Sequence, residues 1–355
     1  MKKNDSISEN IAKIRTKSLK KRKKFDLNKP VSFWIKEDRL LNEIGKEITI
    51  ILRSRGCKWA LGKTGGCSMC GYVQDANIEQ VTEEQLINQF DYAFQNKIEA
   101  IQGDNENYIL KIFNSGSFFD DDEIMPAVRM HIYNKIKPIE KIKEVIIESR
   151  TEYISRETLI ELKNHLKHKY IEIGIGLETT NDYIRANYVN KGFSFEDFKD
   201  CATLCKENGI GVKAYLLFKP PFLNEQAAID DCVKSIQTLI DMKINSISIN
   251  PVNIQKGSLT EYLWYQKRYR PPWFYSLFKC LKKSISQEDL KITRVLCDPS
   301  GAGTIRGIHN CLDKRCNATM KSFLQNFVLH QDLAQLQYEE PKCDCKLTYL
   351  LEKNY

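Results

Sequence analysis

Nowhere in the 355 residues is there an apolar run near the ~18 residues that a membrane-crossing helix needs, and no secretory leader is legible at the start. Those absences point to a soluble, cytosolic protein in a reducing compartment. Its twelve cysteines are therefore read as metal ligands and buried thiols, not as disulfides. No convincing Ser-His-Asp set, HExxH pair or phosphate-binding P-loop occurs, so hydrolysis by those devices has no carriers. No cysteine precedes Cys57. The length suits one large α/β domain with an extension, or two modest domains. A formal charge of +8 and a pI near 8.7 favour an anionic partner.

The charge is concentrated. Lys13, Arg15, Lys17, Lys20, Lys21, Arg22, Lys23 and Lys24 put eight cations into twelve positions. Residues 1–29 are expected to form a flexible basic arm or frayed helix that orders on a polyanion, the alternative being a solubilising tail. On this reading, deleting residues 1–24 leaves the rest of the chain untouched.

From about Pro30 the pattern changes. A β-branched run at 47–53 reads as a first strand. Helices are expected near 82–99, 120–136, 156–168, 195–208 and 225–242, and strands near 108–114, 145–148, 171–177, 211–218 and 246–252. Apolar strands alternating with amphipathic helices give βαβ crossovers and a parallel sheet. Six such units predict an α/β fold, an open (βα)6 partial barrel over residues 30–258. A smaller cysteine-rich extension follows over 259–355.

The stretch after the first strand, Cys57-Lys58-Trp59-Ala60-Leu61-Gly62-Lys63-Thr64-Gly65-Gly66-Cys67-Ser68-Met69-Cys70-Gly71-Tyr72, carries three thiols in a glycine-rich loop. Four cysteines normally close a [4Fe-4S] cluster, so three suggest one iron left open for a small molecule. A zinc knuckle with a distant fourth ligand and three buried thiols are the competing readings. The Cys-x9-Cys-x2-Cys spacing, together with Arg53-Ser54-Arg55-Gly56 before it and Tyr72 behind it, resembles the loop of radical S-adenosylmethionine (SAM) enzymes. Among these it is most similar to the radical SAM subunit of archaeal archaeosine synthase. The strand endings Leu216–Phe222 and Asn250–Ser258 share that resemblance.

The resemblance implies that Cys57, Cys67 and Cys70 bind a [4Fe-4S] cluster whose open iron takes SAM. Ligands of such barrels gather at the carboxyl ends of the strands. Asn114, Ser115 and Gly116 would then meet the methionine amino group, although an ordinary capped turn is the alternative. Glu178 is assigned to the ribose or amino-acid part, with Glu148 and Arg150 or Arg185 near the methionine end, and Lys219, Asn250, Asn253 and Lys256 toward adenine or substrate. Each charged residue could instead close an internal salt bridge.

Beyond 260, Trp264, Tyr265, Tyr269, Trp273, Phe274 and Tyr275 are mixed with Lys267, Arg268 and Arg270. They could stack unpaired bases while meeting phosphates, or cover the open side of the barrel. Cys311, Cys316, Cys343 and Cys345 offer four thiolates for a tetrahedral zinc, with Cys297 and His309 as spares. Cys201, Cys205, Cys232 and Cys280 lie on helical patterns and read as core.

The family also implies tRNA as substrate, an ArcS-type synthase subunit as partner, and an electron donor. The substrate would be a tRNA whose D-loop 7-cyano-7-deazaguanine already carries lysine. Other radical SAM tRNA modifications, such as methylthiolation or Elongator-like chemistry, are the enzymatic alternatives. A non-catalytic zinc-stabilised RNA-binding protein is the alternative of another class.

Overall fold

The computed structural model describes residues 6–20, 24–337 and 343–354. Helix α1 (Ile7–Leu19) precedes strands β1 (Ser32–Arg39) and β2 (Ile44–Ile51). A single-turn helix α2 (Lys58–Leu61) and α3 (Glu83–Gly103) follow. Then come β3 (Tyr108–Phe113), α4 (Pro126–Ile136), β4 (Ile142–Glu148), α5 (Arg156–His165) and β5 (Tyr170–Glu178). A short α6 (Asp182–Ile184) runs into a π-turn, Arg185–Val189, before α7 (Phe195–Glu207), β6 (Gly211–Phe218), α8 (Glu225–Asp241) and β7 (Ser246–Pro251). The chain ends with α9 (Leu259–Tyr265), α10 (Phe274–Ser284), β8 (Arg294–Leu296), α11 (Lys314–His330) and α12 (Cys345–Glu352).

The strands lie side by side in chain order as one sheet of eight. β2 to β8 are parallel, and β1 adds an antiparallel edge to β2. β1 and β8 do not pair, so the barrel stays open. The six expected parallel strands are all present, and the additions are the two edges. β1 was missed because its two apolar residues beside Trp34, Phe33 and Ile35, sit among Lys36, Glu37 and Asp38. β8 is three residues long, too short for periodicity to register. Helix α4 starts later than expected, at Pro126, where a missing N–H costs nothing. Residues 120–124 are a turn held by the Asp120 carbonyl.

Period-two alternation sorts the strands into two faces. Ile48, Ile50, Leu110, Ile112, Val145, Ile147, Ile173 and Ile175 are buried against the helices together with Leu86, Phe90 and Val128. On the opposite, concave face Glu47, Thr49, Lys111, Glu144 and Glu172 are polar, while Ile109 and Ile146 form a small apolar cluster with Leu40. Arg294 on β8 donates to Glu144 on β4 (2.8 Å), Glu172 on β5 (3.0 Å) and Ser246 on β7 (3.0 Å). Lys111 bridges Asp38 of β1 and Glu47 of β2. These charges are at the amino-terminal end of the sheet, where each has a partner.

The same apolar core continues into the extension through Leu277, Phe278, Met320, Phe327 and Tyr349. The described residues of 259–355 therefore complete the barrel's packing. The expected basic arm also differs from expectation. Ser6 and Glu9 form a reciprocal cap, and Ile7, Ile11 and Ile14 make an apolar stripe at helical spacing. That stripe packs the helix down while Lys13, Lys17 and Lys20 stay exposed. Lys21, Arg22 and Lys23 lie outside the described residues.

Removing one partner from a buried charge network leaves the others unpaired and costs about 3–5 kcal/mol. Arg294→Ala is expected to lower stability by that order in denaturant titration. Loss of under about 1 kcal/mol would mean that water compensates Glu144 and Glu172.

Candidate active site

The loop from Cys57 to Tyr72 leaves the carboxyl end of β2 and has little regular structure beyond α2 and one 3-10 turn. Its position is fixed by side chains from elsewhere. Asn190 donates to the carbonyls of Gly66 (2.8 Å) and Thr64 (3.3 Å), and its own carbonyl receives the Trp59 indole (2.8 Å). Ser68 is bonded through its N–H to Val189 and through its hydroxyl to Tyr188. From the other side, Arg15 donates to Gly65 (3.1 Å) and Cys70 (2.6 Å). Gly65 has φ +71°, and a methyl group there would meet the Ala12 backbone at 2.5 Å, so α1 lies directly on it. Deleting residues 1–24 would thus strip one wall from the cysteine loop, contrary to the expectation that the loop is independent of that segment.

Cys67 is buried, and Cys57 and Cys70 are half-buried. Burial raises all three thiol pKa values, that of Cys67 up to about 11. Nearby cations oppose this: Arg150 for Cys57, Lys191 and Arg150 for Cys67, Arg15 and Lys191 for Cys70. A thiolate-bound anionic group would be favoured there. Among the described residues these three sulfurs form no close group of the kind that holds one ion. A four-iron cubane spreads its thiolates more widely than a single ion does, so the loop suits the former.

The strand ends opposite the loop hold most of the expected contacts. Glu178, at the end of β5, has φ +70° and pairs with Lys191 at 2.6 Å. Lys219, just beyond the end of β6, has φ +65°. Non-glycine residues in the left-handed region cost energy and concentrate at functional sites. Burial raises the Glu148 pKa, against the pull of Lys213 and Lys191. Arg150 donates to Glu152 (2.6 Å) and to the Lys191 carbonyl (3.1 Å), and its guanidinium lies 5.4 Å from the Trp59 ring.

At the β3 turn, the Asn114 amide donates to Glu123, while the Asn114 Oδ1 and Ser115 Oγ are buried without partners. A methyl group on Gly116 would collide with the Glu123 carboxylate, so the turn can close on Glu123 only with glycine there. Glu123 also accepts from Ser54 (2.6 Å) and the Ser117 N–H (3.1 Å), yet burial lifts its pKa to about 7. The unpartnered oxygens of Asn114 and Ser115 are what a bound ammonium or hydroxyl would satisfy.

Two expected ligands are engaged elsewhere. Each nitrogen of Arg185 already holds a protein oxygen, from Phe193, Thr179 or Asp182. Lys219 is bonded to Glu225 (2.6 Å) and the Arg270 carbonyl (2.9 Å). Arg270 in turn donates to Pro271, His309 and Asn310 and stacks on Trp273 at 3.6 Å, so it braces the extension. Trp273, Phe274, Tyr275 and Tyr269 are buried; Tyr262, Tyr265, Lys267 and Arg268 remain exposed. Sequence reasoning missed Lys191, Glu123 and Arg15. Lys191 had only the adjacent Asn190 and Gly192 as a turn signal, and Arg15 was one cation among eight.

Cys311, Cys316, Cys343 and Cys345 come together, their sulfurs all within 4.8 Å of one another. The Cys311–Cys343 and Cys316–Cys345 pairs are 3.7 and 3.8 Å apart, close to the roughly 3.8 Å edge that Zn–S bonds near 2.3 Å give a tetrahedron. Asn310 points its amide at Cys316 (3.8 Å), and the Tyr275 hydroxyl lies 3.5 Å from Cys345, the kind of outer support that metal ligands need. The spare ligands take no part: Cys297 is buried beside Cys280, and His309 is bonded to the Gly307 carbonyl. Cys201, Cys205, Cys232 and Cys280 are core residues.

No family model matches the chain. An uncharacterized protein of Methanocaldococcus jannaschii is 40% identical over 344 residues, 97% of this chain and 92% of that one. Two proteins named archaeosine synthase subunit beta are similar along nearly the whole length. That of Methanosarcina acetivorans is 38% identical over 90% of this chain and 88% of its own, and that of Thermococcus kodakarensis 35% over 91% and 97%. Among solved structures, archaeal Elp3 from Methanocaldococcus infernus superposes with a TM-score of 0.50 at 15% identity, covering 67% of this chain and 59% of that chain, and supports the fold alone. With its open parallel half-barrel, its three-cysteine loop at the mouth and these relatives, the chain belongs to the archaeosine synthase subunit beta family of radical SAM enzymes.

Proposed function

We propose that this protein is the radical SAM subunit of an archaeosine synthase, acting in the cytoplasm on tRNA together with a partner synthase subunit and an electron donor. The observation that carries the reading is the likeness to two archaeosine synthase beta subunits over nine-tenths of the chain. Cys57, Cys67 and Cys70 would hold a [4Fe-4S] cluster. When bound and reduced, that cluster with SAM supplies a 5'-deoxyadenosyl radical able to take hydrogen from unactivated carbon.

The chain's own residues bind, orient and exclude water. Asn114, Ser115 and Glu178 offer acceptors to the amino and ribose groups of SAM, while Arg150 and Lys191 favour its carboxylate and the anionic cluster. Glu148 would lie near the methionine end. The substrate is the lysine adduct of 7-cyano-7-deazaguanine in the tRNA D loop. Hydrogen abstraction from the carbon beside the lysine side-chain nitrogen, passage of one electron from the resulting radical to a one-electron acceptor and addition of water to the iminium so formed would break the carbon–nitrogen bond in a lyase-type reaction, lysine leaving as its side-chain aldehyde and the formamidine of archaeosine remaining. No strong general base is required. Zinc on Cys311, Cys316, Cys343 and Cys345 would tie α11 and α12 to the core.

Cys57→Ala, Cys67→Ala and Cys70→Ala are each expected to abolish cluster absorbance and SAM cleavage in anaerobically reconstituted protein while leaving a folded barrel. Cleavage retained in any of them removes the assignment. Anaerobic metal analysis should find one zinc beyond the iron, lost together with thermal stability when any of Cys311, Cys316, Cys343 or Cys345 becomes Ser. Iron alone would return these residues to buried thiols.

For tRNA, the exposed cations Lys17, Lys20 and Lys24 can be changed to Gln without disturbing the buried face of α1. If all three meet phosphates, the slope of log affinity against log salt should flatten by about 2–3, at roughly 0.7–0.9 per contact. An unchanged slope would shift the RNA surface to Tyr262, Tyr265, Lys267 and Arg268.

A further inference from the structure

Arg15 is 2% exposed, and a guanidinium so deeply buried normally has a carboxylate beside it. Among the described residues no carboxylate pairs with Arg15. Its Nε and one Nη are used on the carbonyls of Gly65 and Cys70, which lie on either side of Cys67 in the loop. The other Nη is buried and has no hydrogen-bond partner. The backbone of Ile11 and Ala12, one turn before Arg15, lies directly on Gly65, so the guanidinium enters the protein where α1 meets the cysteine loop. The cation and its orphan donor thus lack only a negative group on the cysteine side.

We propose that Arg15 is the positioning residue of the cysteine loop: it clamps the loop through two main-chain carbonyls and presents its unpartnered Nη to a sulfur of the loop-bound cluster. The proposal rests on the cluster reading given above. A [4Fe-4S] cluster on three thiolates carries net negative charge, which grows when a one-electron donor reduces it. A buried cation and a hydrogen bond to sulfur both favour the reduced form. α1 therefore does two things that a solubilising arm could not. It sets the shape of the loop, and it makes the cluster easier to reduce. The planar fork explains arginine at this place, because one lysine nitrogen cannot span both carbonyls and still reach a sulfur.

The test uses the full chain, reconstituted anaerobically, as wild type, Arg15→Gln and Arg15→Lys. Folding is checked by circular dichroism, loading by iron and sulfide content, and the midpoint potential by a dithionite titration followed by electron paramagnetic resonance. Arg15→Gln is expected to be harder to reduce by at least tenfold in equilibrium constant, a shift of about 59 mV to more negative potential for one electron. Arg15→Lys should lie between Arg15→Gln and wild type. Loss of iron from a folded Arg15→Gln equally supports the clamp.

A second measurement needs no substitution. Amide exchange in α1 should slow by at least about tenfold when wild-type apoprotein is loaded with iron and sulfide. A fully loaded Arg15→Gln with the wild-type potential, or α1 exchange unchanged by loading, overturns the proposal. Iron retained in Cys57→Ala would overturn the cluster reading and this proposal with it, whereas iron lost there beside an unaltered Arg15→Gln potential overturns only the role of Arg15.

Discussion

A loop without regular structure has to be held by its own carbonyls and amides, and much of this molecule is arranged to do so. The sixteen residues from Cys57 to Tyr72 are too glycine-rich to keep one shape alone. Asn190 and Ser68 fasten them to the turn after β5, and Arg15 fastens them to α1, using segments about 120 residues apart on one side and 50 on the other. Each bond is worth only about 1 kcal/mol net. Their value lies in fixing where three sulfurs stand relative to the strand ends, since a displacement near 1 Å at a reacting centre can cost a hundredfold in rate.

The parallel strands and their helices were legible because aliphatic residues recur with period two in β2 to β7 and with helical spacing between them. β6 and its bounds, Gly211–Phe218, follow directly from that pattern. That the four tail cysteines come together was legible from spacing and count. Arg185 and Lys219 illustrate what was not. Each is a cation near a strand end, and charge and position alone assign both to a ligand, but their partners are set by backbone turns. Arg185 is consumed by carbonyls of the loop that follows it, and Lys219 by Glu225 at the start of α8.

The basic segment shows the same limit from another side. Its density of lysine and arginine is a true electrostatic signal, and Lys13, Lys17 and Lys20 do face solvent. Charge density masked the weaker stripe of Ile7, Ile11 and Ile14, and it hid that Arg15 falls on the apolar side with them. A helical stripe of three isoleucines is enough to dock a helix on an apolar loop, at about 25 cal/mol per Å² of apolar area covered. The single arginine on that side then enters the protein with it.

Comparing the two ends of the barrel separates structure from function on physical grounds. At the amino-terminal end Glu144 and Glu172 share Arg294, and Asp38 and Glu47 share Lys111, so each of these buried charges has a partner of opposite sign. At the carboxyl end the pairing is incomplete. Arg15 has a free nitrogen, Asn114 and Ser115 have free oxygens, and Glu148 has its pKa raised by burial. Unpaired buried polar groups cost about 1–3 kcal/mol each, and a bound ligand is one way to complete them. Those of Arg15 lie on the α1 side of the cysteine loop and those of Asn114 and Ser115 at the β3 turn; on the function proposed above, one composite ligand at the barrel mouth would complete both, with sulfur and iron toward α1 and polar organic groups toward the β3 turn.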